Sequence, residues 1–313
     1  MRIIADTTEF NLSVPSAVAI GKFDGLHRGH KELIQKILKK KEYGMLSVVF
    51  TFDPPPEVLF GKRQQKEITT KEEKRIIFEK MGIDILIEYP LNQETASMEA
   101  ERFVKEILVQ KMKLSYLAAG SDLSFGYKGQ GNAELLQKMA REYDFSVDIM
   151  DKVCEQGREI SSTYVREEVE IGNMEQVHCL LGEPYMVIGE VMHGAKLGRT
   201  IGMPTINLLP QPEKLLPPNG VYFSLTEIGS KKYKSITNIG KKPTVNNNNQ
   251  IGVETYIYEF DLDVYGKTAV VKLLKFKRPE KKFENLEALR CQMLLDIEEG
   301  RNFSIQENKE NNG

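Results

Sequence analysis

Two of the four histidines in this chain, His27 and His30, stand three residues apart in Gly21-Lys22-Phe23-Asp24-Gly25-Leu26-His27-Arg28-Gly29-His30. An apolar run ending at Ile20 comes before this stretch, and a segment of helical length follows it. Glycines let a backbone approach a ligand closely, and a helix start offers unpaired N–H groups and a positive dipole end to a phosphate. Imidazoles at that entrance are placed to donate hydrogen bonds to phosphate oxygens. Spacing alone also fits a glycine-rich turn with two incidental surface histidines. The stretch has neither the G-K-[ST] of a P-loop nor a nearby third ligand for zinc.

Three further groups carry potential chemistry. Ser161-Ser162-Thr163 with Arg166 reads as an anion site at a helix start, or as ordinary N-capping. Gly194, Gly198 and Gly202, spaced by four with Lys196 and Arg199, suit a flap over phosphates or a glycine-rich hairpin. Pro204-Thr205-Ile206-Asn207 follows, with a hydroxyl and an amide oxygen of the hard type that Mg²⁺ accepts beside nucleotide phosphates. Glu254 lies in a β-like run, where a glutamate is usually a solvated, outward-facing residue.

The elements that must position these groups change character along the chain. In the first half, apolar runs (18–20, 46–52, 83–87, 116–119 and a more exposed 145–150) alternate with helical segments (31–41, 71–81, 98–112, 133–143). This β-α-β-α order predicts an α/β domain, a doubly wound parallel sheet with ligands outside the carboxyl ends of its strands. Thr70 with Glu73 has capping-box spacing, and Gly82 marks a helix end. Beyond about residue 182, extended segments (185–191, 222–226, 233–239, 252–260, 268–276) without intervening helices predict an antiparallel β-barrel or sandwich, closed by a helix over 286–298 capped by Asn285. Domains 1–182 and 183–306 follow, with a disordered tail over 307–313. The run 246–249 reads as a polar loop tip, Lys39 to Lys41 as a solvated helix end, and His178 and Cys179 as packing residues.

Composition sets limits on partners. With 43 Lys+Arg against 45 Asp+Glu, the formal charge is -2, and Trp is absent, so no nucleic acid partner is expected. No apolar run approaches a membrane span, and three scattered cysteines (Cys154, Cys179, Cys291) suggest neither a disulfide framework nor a zinc site. The expected location is cytoplasmic, without membrane contact, and a weak homo-oligomer remains compatible.

Gly21 to His30 resembles the G-x-F-D-G-x-H-x-G-H motif of the nucleotidyltransferase superfamily, specifically the FAD synthetase module of bacterial bifunctional riboflavin kinase/FMN adenylyltransferases. Phe52-Asp53-Pro54 is similar to that module's F-D-P-H-P, 120–126 (GSDLSFG) to its G-x-D-F-x-F-G, and 157–166 (GREISSTYVR) to its G-x-x-x-S-S-T-x-I-R. Pro55 stands where the family has His, and Leu123 where it has Phe. Residues 194–207 are similar to the riboflavin kinase signature G-x-x-x-G-R-x-x-G-x-P-T-x-N, and the likeness continues through Asn219 to Tyr222, Gly252 to Glu254, Asp263 to Lys267 and a closing helix around Gln292 and Asp296.

The resemblance implies a Rossmann-like nucleotidyltransferase domain followed by a six-stranded riboflavin kinase barrel. It also implies conversion of riboflavin to FMN and of FMN to FAD, with ATP as co-substrate and Mg²⁺ as cofactor. Catalytic roles would fall to Glu254, His27 and His30. ATP contacts would come from Gly21, Phe23, Asp24, Gly25, Ser161, Ser162, Thr163, Arg166, Gly194, Lys196, Gly198, Arg199, Gly202 and Pro204. Asp122, Phe125, Arg278 and Gln292 would contact flavin, and Thr205 and Asn207 the metal. Two alternatives stay open: a riboflavin kinase whose adenylyltransferase half is impaired by Pro55, and a non-catalytic flavin- or nucleotide-binding regulator.

Overall fold

Six runs form one parallel sheet in the computed structural model, which describes residues 1–59, 61, 66–193, 202–241 and 251–303. They are β1 (Arg2–Ala5), β2 (Ser16–Ile20), β3 (Leu46–Asp53), β4 (Ile85–Pro90), β5 (Leu114–Gly120) and β6 (Ser146–Met150), in the order β1-β4-β3-β2-β5-β6. β2 is buried along its whole length, as a central parallel strand covered on both faces must be. β6, at the edge, is half-buried or exposed throughout, in line with its sequence reading. β1 escaped that reading because its four residues carry little periodic signal and pair only with β4.

Helix α1 (Arg28–Lys39) follows β2, and α2 (Lys71–Met81) carries the complete Thr70–Glu73 capping box and ends at Gly82 in the left-handed region. The helix expected over 98–112 is instead a short turn, Ala100–Arg102, that runs into a π-helix, Phe103–Lys111. Periodicity shows an apolar face but does not distinguish hydrogen bonds to i−4 from those to i−5. Lys41 is exposed, as expected of a solvated helix end, and it also donates to the Gly82 carbonyl and pairs with Asp84. After α3 (Ala133–Tyr143) come the small hairpin β7 (Cys154–Glu155) and β8 (Arg158–Glu159), then α4 (Ser162–Ile171) and α5 (Met174–Leu181).

The chain divides into two compact units, 1–164 and 165–313. Helix α5 lies before the expected boundary at 182/183, yet it packs on β9 (Tyr185–Met192) and β14 (Thr268–Pro279) and so goes with the second unit. It buries Met174, Val177, Leu180 and Leu181.

In the second unit, β9, β10 (Thr205–Leu208), β11 (Gly220–Ile228), β12 (Lys231–Lys241), β13 (Ile251–Ile257) and β14 form a closed antiparallel barrel in the order β10-β13-β12-β11-β14-β9. Alternation gives each strand an inner and an outer row. One row buries a chain of hydroxyls: Ser224 with Ser235 and Thr237 at 2.8 Å each, and Thr237 with Thr255 at 2.9 Å. The opposite row, with Val221, Phe223, Ile236 and Tyr258, is covered by α6 (Leu286–Asn302) through Ile297. Asn285 caps α6, accepting from the Ala288 amide at 2.8 Å. Gly194, Lys196, Gly198, Arg199, the loop tip 246–249 and the tail 307–313 lie outside the described residues. Among the described residues, no helix is long and apolar enough to cross a membrane.

Candidate functional site

Each unit holds its own site. In the first, the loop leaving β2 turns sharply, with positive φ at Phe23 (52°), Gly25 (88°) and Leu26 (46°). Phe23 and Leu26 are fully buried there, so side-chain packing stabilises a backbone that L residues otherwise avoid. The Phe23 ring lies 5.2 Å from His30 and 5.7 Å from Phe78 of α2, which leaves only its backbone for a ligand. A Cβ at Gly21 would meet that ring at 3.2 Å.

His27 occupies the N-cap of α1 without capping it, and its ring stacks on His30 with centroids 3.8 Å apart. Burial lowers the His27 pKa to about 4, against a raising influence from Asp122. Burial, then His27 and then Lys74, hold His30 well below the ordinary histidine range. Both imidazoles are therefore uncharged at neutral pH, and both Nδ1 atoms are buried without a hydrogen-bond partner among the described residues.

Asp24 organises the surroundings. Its Oδ1 accepts from the Ile68 and Thr69 amides at 2.9 and 3.2 Å, and its carbonyl accepts from Ser162 Oγ at 2.8 Å. The last bond brings the start of α4 to the loop before α1, so two helix N-termini meet there. Ser161 Oγ accepts from the Tyr164 amide at 3.2 Å, an ordinary cap, and Thr163 is exposed. Arg166 lies one turn on in α4, within the second unit.

Phe125 lies in a cavity of about 170 Å³ with Phe52, Tyr89, Met98 and Phe103, at the carboxyl ends of β3 and β4. Its ring is 5.6 Å from that of Phe103. Asp122 lies on the surface, with its carboxylate 3.7 Å from Lys152 Nζ. Close by, Asp53 of β3 takes Lys71 Nζ, which also reaches Glu88 at 3.3 Å, and Arg75 grips Glu88 with two nitrogens. Sequence reasoning missed this network, although a glutamate inside the apolar run of β4 was a signal for it. Pro55 follows Asp53-Pro54 and brings no side-chain donor or acceptor.

In the second unit, barrel register assembles the site. Asn207 of β10 and Asn238 of β12 pair with Glu254 of β13 from either side, forming one row across three strands. Thr205, two residues before Asn207 and so on the same face, donates from Oγ1 to Glu254 Oε1 at 2.6 Å. Gly202 and Pro204 lead directly into that strand. Thr205, Asn238 and Glu254 line a cavity of about 360 Å³ that continues past Arg278 and Glu280 to Met293 of α6. Arg278 lines it while bound through Nε and Nη2 to the buried Asp296, at 3.0 and 2.6 Å to Oδ2. Gln292 donates to Asp296 Oδ1 at 3.1 Å, so these two expected flavin contacts share one carboxylate. Asn238 and Glu280 were not singled out in the sequence, because strand register is a tertiary property. Among the described residues, no group of three His, Cys, Asp or Glu could hold a metal.

Residues 11–164 match the FAD synthetase family model, and residues 181–304 match riboflavin kinase. The bifunctional riboflavin kinase/FMN adenylyltransferase of Listeria monocytogenes is 34% identical over 300 residues, covering 95% of each chain. The chain belongs to the bifunctional riboflavin kinase/FMN adenylyltransferase family. The Escherichia coli K12 member is 35% identical over 289 residues, covering 91% of this chain and 92% of its own. A crystal structure named as a macrolide-efflux protein from Streptococcus pneumoniae aligns with a TM-score of 0.84 at 30% identity, over 96% of this chain and 99% of that one.

Proposed function

We propose that the second unit phosphorylates riboflavin with ATP to give FMN and ADP, and that the first unit transfers the adenylyl group of a second ATP to FMN, giving FAD and pyrophosphate. The observation that carries this reading is Glu254, held by the Thr205 hydroxyl at 2.6 Å on the wall of the 360 Å³ cavity. A primary ribityl hydroxyl is a weak nucleophile, and a carboxylate within hydrogen-bond reach accepts its proton as the γ-phosphoryl moves.

Thr205 and Asn207 supply neutral hard oxygens beside Glu254. Such donors fit Mg²⁺, which keeps water and phosphate oxygens as its other ligands. When bound, the metal offsets charge on the ATP phosphates; Thr205 and Asn207 would hold it, and Glu254 remains the proton acceptor.

In the first unit, the loop leads into α1 and its Asp24 carbonyl accepts from Ser162 at the start of α4, so both helix starts adjoin it. His27 and His30, kept uncharged by burial, donate to phosphate oxygens during adenylyl transfer. The aromatic cavity around Phe125 suits a planar isoalloxazine. Asp24 keeps the loop in shape, a structural use of its carboxylate. No covalent intermediate is required, because positioning and charge stabilisation serve both transfers.

Chromatography of riboflavin, FMN and FAD after addition of ATP and Mg²⁺ tests both halves. FMN appearing from riboflavin, and FAD from added FMN, is the expected result. FMN without FAD would limit the chain to the kinase reaction, with Pro55 the first position to exchange for His.

A further inference from the structure

Glu280 follows β14 at the rim of the kinase cavity, and its carboxylate rests directly on the backbone of β12. A Cβ at Gly240 would overlap Glu280 Oε1, so glycine alone admits the carboxylate at that point. The other oxygen, Oε2, accepts from Asn219 Nδ2 at 3.2 Å. A Cβ at Gly220, next to Asn219, would likewise overlap the Arg278 carbonyl. Two glycines on the neighbouring strands β11 and β12 thus make room for the segment from Arg278 to Glu280. The β14 ladder ends at Pro279, opposite Gly220, and α6 begins at Leu286. Between them, Lys281 and Phe283 line the cavity, with the Lys281 ammonium 5.9 Å from the Phe283 ring centroid.

We propose that Glu280 is a positioning residue for the acceptor substrate: seated on Gly240 and held by Asn219, it pins Lys281 and Phe283 against the cavity and so sets the affinity for riboflavin, apart from phosphoryl transfer. The proposal rests on the riboflavin kinase reading. The carboxylate is exposed, so its charge contributes little through solvent, and its effect lies in where it seats. Glu254, the neighbouring carboxylate of the cavity, is engaged with Thr205 instead.

The test uses the full chain as wild type, Glu280→Ala, Glu280→Gln and Gly240→Ala. Riboflavin affinity is measured from quenching of the flavin's own fluorescence, and FMN formation is followed while riboflavin and ATP are varied separately. Glu280→Ala and Gly240→Ala are each expected to weaken riboflavin binding and raise its KM about tenfold, with kcat within about twofold and the KM for ATP unchanged. Glu280→Gln should stay within about threefold of wild type, because its amide oxygen still accepts from Asn219. A fall in kcat at unchanged KM, no change in binding, or equal damage by Gln and Ala would overturn the proposal. FAD formation from FMN reports whether a variant chain is intact. If wild type binds riboflavin without forming FMN, the kinase reading fails, while the binding measurements still decide the role of Glu280.

Discussion

Under the proposed function, the loop after β2 and the row across β10, β13 and β12 would handle phosphate by opposite means. The first places two stacked, uncharged rings, His27 and His30, in a buried recess at the start of α1, where a helix dipole is positive. The second places a carboxylate, Glu254, on the outer face of a barrel and surrounds it with neutral donors. Adenylyl transfer from ATP asks for stabilisation of an existing anion, and phosphorylation of an alcohol asks for a base. Burial suits the first demand because uncharged imidazoles and helix amides can meet an anion without a counter-charge of their own, and the second places its carboxylate beside the Thr205 hydroxyl on the cavity wall.

The sharpest way to break this comparison is a crossed pair of substitutions. Glu254→Gln should lower FMN formation by about 10² or more, on the scale of general-base loss, while FAD formation from supplied FMN survives. Equal loss of both activities would mean that the units do not work separately. His27→Ala should lower FAD formation by about 10² and spare FMN formation, read in the same chromatographic assay.

Acid sharpens the comparison through stability. The folded pKa of His27, about 4, lies below the ordinary 6.5, so the unfolded chain binds the proton more readily. Its contribution is complete above about pH 6.5 and is lost as the pH falls toward 4. Denaturant unfolding of the first unit should lose about 2 kcal/mol between pH 7 and pH 5 from this group, and His27→Asn should flatten that slope. The smallest effect compares two caps. Thr70→Ala in the first unit and Asn285→Ala in the second should each cost about 1 kcal/mol in unfolding free energy, measured by denaturant titration. A much larger loss at Thr70 would show that Glu73, buried beside it, depends on the cap for more than helix initiation.

Much of this was legible before any coordinates. The alternation of apolar runs and helical segments identified the parallel sheet, because a strand covered on both faces must be apolar throughout, as β2 is. Thr70, Gly82 and Asn285 marked helix ends through local hydrogen bonding, which depends on neighbours in sequence. β10 was hidden, since Thr205 to Leu208 is short and reads as a site rather than a strand. The π-helix over Phe103–Lys111 and the placement of α5 on the barrel were equally hidden, because hydrogen-bond offset and packing partner leave no periodic trace.

The residue types and order of the chain determined that histidines would stand at a helix entrance and that Thr205, Asn207 and Glu254 would be available in a β-rich half. Only the tertiary structure decided that the histidine rings stack on each other uncharged, with Phe23 beside His30, since desolvation depends on everything packed around them. It also decided that residues 207, 238 and 254 share one row and that Glu280 rests on Gly240. Strand register and the approach of distant backbones are set by closure of the whole barrel, which no local stretch of sequence encodes.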